Sequence, residues 1–221
     1  MDFRGPEAAD FANVNSLNRA FLGLLRETAA GRLIRQQLPD SVREMIRGLT
    51  DLQINRLSAV PFLLLSLRER DDRYWQVLTS DEADGDLFTS ACHDTGTSQL
   101  GTAAVAFLWQ LSTRNPYAAR LLSGGTLVWC EQLANCTLLR LLQRTINSPD
   151  LLQPRLPNKV DFWKKLLGPG LSSEQNVRNA AHMAALQTML TEDPAPRYRP
   201  LRAAACDSIA PSRKVADKRR R

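Results

Sequence analysis

Apolar residues in this sequence return every three or four positions, and no segment alternates strictly. That spacing confines most of the chain to amphipathic helix. From Asn13 to about Gln37, Leu17, Phe21, Leu24, Leu25 and Ala29 follow at steps of four, three, one and four. They trace one face at the helical period. Pro39 ends this element, and Asp40 or Ser41 is placed to cap a short helix, Ser41 to Arg47, that Gly48 closes. Thr50 is placed to cap the next, whose buried side is Leu52, Leu57 and Val60, and Pro61 stops it. Residues 62–67 are almost wholly apolar and fit a buried strand or a core helix turn equally. A charge-dense run, Arg68 to Arg73, follows.

Residues 80–97 are rich in Asp, Ser, Thr and Gly and read as a polar linker. Further helices are expected over Ser98 to Ser112, from Asn115-Pro116 to Gly124-Gly125, and over Thr126 to Ala134. Others follow Thr137, cover Lys159 to Leu167, and follow Ser172 or Ser173. The last carries Val177, Ala180, Ala181, Ala184 and Leu190. Ser148 to Pro157 holds three prolines and reads as a loop. The expected fold class is therefore all-α. It comprises two helical halves, 13–79 and 98–193, with a disordered basic tail at 194–221.

Charge is unevenly placed. The net charge of the 221 residues is +6, but residues 194–221 hold nine Lys/Arg and two Asp. The tail thus carries +7 and the body −1. A polybasic arm of this kind is drawn to polyanions, nucleic acid above all. No apolar run approaches the ~20 residues of a membrane span, so no membrane association is expected. The N-terminus shows no secretory pattern, and a cytoplasmic location is expected. Four scattered cysteines do not make a disulfide framework.

Chemistry is sparse. No nucleophile elbow, Walker loop or dinucleotide fingerprint is present, and the two histidines, His93 and His182, stand apart. Cys130 and Cys136 have the wrong spacing for a zinc site, and the DEADGD loop at 81–86 lacks an EF-hand's register. No enzyme, metal or cofactor is expected. Residues 126–147 are more informative: helix, a break at Asn135-Cys136-Thr137, then helix, the outline of a helix-turn-helix. Arg140, Gln143, Arg144 and Asn147 are donors for phosphates or base edges, with 140, 144 and 147 on one face. Lys159, Lys164, Lys165 and Arg178 add positive charge to the same half, and Lys218, Arg219, Arg220 and Arg221 close the tail.

Two stretches resemble the subunits of the bacterial flagellar master activator. NSLNRAFLGLLRE and LTDLQINRLSAVPFLLLSLR, within residues 15–68, resemble FlhD. Leu138-Leu139-Arg140-Leu141-Leu142, Ser148-Pro149, Leu156-Pro157, Asp161-Phe162-Trp163 and Glu174-Gln175-Asn176-Val177, within 138–181, resemble the front of FlhC. The resemblance implies a cytoplasmic activator of flagellar transcription. It would bind double-stranded DNA with RNA polymerase, as a homodimer or a hetero-oligomer of FlhD/FlhC type. FlhC carries a four-cysteine zinc site in its later part. This sequence leaves the pattern near residue 190 and then holds only Cys206, so no zinc is implied. On this reading Arg140, Arg144, Lys164 and Lys165 touch DNA. Leu17, Phe21, Leu24 and Leu57 serve dimerisation or packing. The alternative is an interaction module that docks on such regulators without binding DNA.

Overall fold

Helix boundaries fall largely where local chemistry puts them. The computed structural model describes residues 4–26, 31–79, 95–146, 148 and 150–191. Among these, the helices are α1 (Ala8–Arg26), α2 (Arg32–Gln36), α3 (Asp40–Arg47), α4 (Asp51–Ser58), α5 (Asp72–Thr79) and α6 (Thr95–Arg114). They continue with α7 (Pro116–Ser123), α8 (Leu127–Asn135), α9 (Leu138–Ile146), α10 (Val160–Leu167) and α11 (Gln175–Thr191). The fold is all-α, as the apolar spacing predicts. Thr50 and Gln53 form a reciprocal capping box on α4. The Asn115 side chain accepts from Ala118 N, with Pro116 in the first turn of α7. Gly124 ends α7 at φ +68°, a left-handed cap that glycine adopts without strain.

Three expectations need correction. The helix expected over 13–37 is not continuous, because α1 ends at Arg26 and α2 begins at Arg32. At Gly31 the chain passes so close to α1 that a Cβ would overlap the Leu24 carbonyl. Leu52 is exposed, and Ile54 takes the buried place in α4 beside Leu57. On α11, Val177 and Leu190 are exposed, and Ala181, His182, Ala185, Leu186 and Met189 face inward.

The apolar segment after α4 resolves as a short strand inside an otherwise helical body. Leu65 and Ser66 (β1) pair antiparallel with Pro154 and Gln153 (β2). Phe62 through Leu67 are all buried. Backbone polar groups taken so deep must find partners. The Asn18 amide of α1 donates to Phe62 O at 2.8 Å and accepts from Leu64 N at 2.8 Å. Leu63 N donates to Leu122 O at the end of α7, at 2.9 Å. Arg155 N donates to Leu64 O at 2.8 Å. The Arg155 guanidinium donates to Leu63 O at 3.1 Å and to Leu65 O, and it pairs with Glu69. Glu69 also accepts from Ser66 Oγ and Leu67 N, both at 2.8 Å.

Around this segment, α6 is the central packing element, meeting α1, α7, α8 and α9. Helices α10 and α11 pack on each other and on the 3-10 turn Pro169–Leu171, and they reach α3 and α4 through α10 and that turn. One apolar cluster joins residues from Val14 to Met189, so both parts of the chain contribute to the same core.

Removing Arg155 leaves a buried carboxylate without its countercharge and the Leu63 and Leu65 carbonyls without the guanidinium. Arg155→Met is expected to cost about 3 to 5 kcal/mol in urea unfolding. The double variant Arg155→Met/Glu69→Met is expected to recover only part of that loss. Its Leu63 and Leu65 carbonyls still lack the guanidinium.

Candidate functional site

The expected DNA-facing helix is α9. It follows α8 after the two residues Cys136-Thr137, and both helices pack on α6. The break is held in place because Trp109 Nε1 of α6 donates to Cys136 O at 2.8 Å. Leu141 and Thr145 form the buried side of α9, while Leu139 points outward and is 59% exposed. The leucines therefore do not share one buried face.

The polar residues of α9 are not laid out on open surface. Arg140 is half-buried and donates to Thr79 O, the last residue of α5, at 2.7 Å. A guanidinium there satisfies a carbonyl left over at a helix end and meets the negative end of the helix dipole. Gln143 and Arg144 are also half-buried. On α11, Arg178 turns back on its own N-terminal loop, donating to Ser172 O at 2.6 Å and to Gln175 Oε1. Lys164 and Lys165 are exposed on α10.

These cations belong to separate packing groups. Helix α9 rests on α5 and α6, whereas α10 and α11 rest on each other and α10 on α3. Asn147 and the tail residues Lys218, Arg219, Arg220 and Arg221 lie outside the described residues, as do the DEADGD loop, Cys92, His93 and Cys206. Leu17, Phe21, Leu24 and Leu57 all lie in the chain's own core.

The charge-dense run after Leu67 holds functions that the sequence reading did not assign. Arg68 takes a left-handed backbone, φ +56°, and its guanidinium reaches Asp71 at 2.6 Å and Asp150 at 2.7 Å. It also lies 3.9 Å from the Tyr74 ring centroid. Tyr74 Oη donates to Asp150 Oδ1 at 3.1 Å. Burial first, then the Asp150 charge, holds the Tyr74 phenol well above its usual range. Arg70 donates to Gly124 O at 2.9 Å and Met189 O at 2.8 Å, linking the ends of α7 and α11. The signal available in the sequence was position: RERDDR directly follows a buried segment, where charges serve as anchors rather than as a solvated loop.

Reactive groups are set apart. Burial pushes the Cys130 thiol up to about 11, and it raises Cys136 as well, so neither is a ready thiolate at neutral pH. His182 is buried, with Nε2 3.1 Å from Gly170 O. Desolvation lowers its pKa, against the raising effect of that hydrogen bond. Among the described residues no group of three or more His, Cys, Asp or Glu is arranged to hold a metal ion. No helix among them is long and apolar enough to cross a membrane. No protein-family model, curated protein or solved structure matches the chain.

Two outcomes follow from these placements. Arg140→Ala is expected to lower stability by about 1 kcal/mol in urea unfolding, because the Thr79 carbonyl loses its charged donor. His182 binds protons less readily in the folded than in the unfolded chain. Its contribution is therefore full above the ordinary value of 6.5 and is lost as pH falls through the lowered folded value. The urea midpoint of His182→Gln is expected to fall less than that of the wild type between about pH 7 and pH 5.

Proposed function

We propose that this chain is a helical protein-interaction module, of the kind that docks on regulators resembling FlhD and FlhC, and that it does not read DNA sequence through α9. The observation that carries this reading is the commitment of Arg140. Its guanidinium spends a donor on the Thr79 carbonyl and is half-buried against α5. A recognition helix needs its donors free to meet base edges. Arg178 supports the same view, because it is turned onto the loop that precedes its own helix. The body's near-neutral charge agrees too, since a DNA-reading domain usually presents a basic stripe.

A second reading keeps DNA as a partner. Lys164 and Lys165 are exposed side by side, and residues 194–221 carry nine basic residues. In this reading the chain is a transcriptional regulator resembling FlhD/FlhC, and it holds promoters with an electrostatic arm. Such contacts release counterions and bind all sequences alike.

Fluorescence anisotropy on labelled duplexes over a salt series separates the two. The full chain is expected to bind weakly, with steep salt dependence and no preference over a scrambled duplex. A chain ending at Asp193 is expected not to bind. Calorimetry against purified FlhD and FlhC is expected to show binding by both chains. Sequence preference that persists in the shorter chain, and disappears in a folded Arg140→Glu/Arg144→Glu variant, would instead make α9 a DNA reader.

A further inference from the structure

We draw no further inference here: the strongest candidate, the open groove between the N-terminal half of α1 and the turn after α4, lined by Phe11, Asn15, Val60 and Pro61, is an unpartnered surface, and nothing in the structure shows what covers it.

Discussion

A positively charged side chain lies in the interior of this protein, and much of the body is arranged to keep it there. Arg155 and Glu69 are each buried to within a few per cent. An ion pair at that depth is costly to desolvate and repays the cost only when its remaining hydrogen-bonding capacity is used. Here it is used on backbone. The guanidinium serves the carbonyls of Leu63 and Leu65, and the carboxylate serves Leu67 N and Ser66 Oγ. The pair therefore does what a neighbouring strand would do. It allows an apolar segment to run through the core with only two residues in a sheet ladder. Guanidinium suits the task because it offers five N–H donors in a fixed plane, where an ammonium offers three from one point.

The same logic extends along the chain on both sides of the segment. Asn18 closes the other edge of the buried stretch with one donor and one acceptor. Arg68 and Arg70, the residues flanking Glu69, point to Asp150 and to the ends of α7 and α11. The left-handed backbone at Arg68 carries some strain, which its two carboxylate partners and the Tyr74 ring offset. Residues 62–74 thus act as a spine. Their apolar half fills the core, and their charged half anchors helices that come much later in the sequence.

How much of this was legible in the sequence depended on range. Caps are local events, so Thr50, Asn115-Pro116 and Gly124 could be read directly from the residues, although the cap expected at Asp40 or Ser41 falls instead on Pro39, with no side-chain bond. The helical class followed from apolar spacing. Burial within a helix was less secure, because Leu52, Val177 and Leu190 fit an apolar face by period but lack a neighbour to cover them. The link between Glu69 and Arg155 joins residues far apart in the chain, and no periodicity reports such a pairing. Arg155 in a proline-rich loop has the appearance of a solvated side chain until the fold places it against the buried segment.

The expected DNA-facing helix shows why a pattern of donors cannot by itself define an interface. Arg140 and Arg144 occupy one side of α9 at helical spacing, and that much was correct. Which side faces solvent is decided by what packs beside the helix. Here α5 lies against α9, and the Thr79 carbonyl at its end accepts a hydrogen bond from the Arg140 guanidinium. A helix end and a nucleic-acid backbone are alike to arginine, since both offer oxygen acceptors with negative potential. The fold supplies the nearer one. On α11 the outward residues are mixed, with apolar Val177, Met183 and Leu190 among polar Asn176, Asn179 and Gln187, so a face left open by the fold is not thereby an interface.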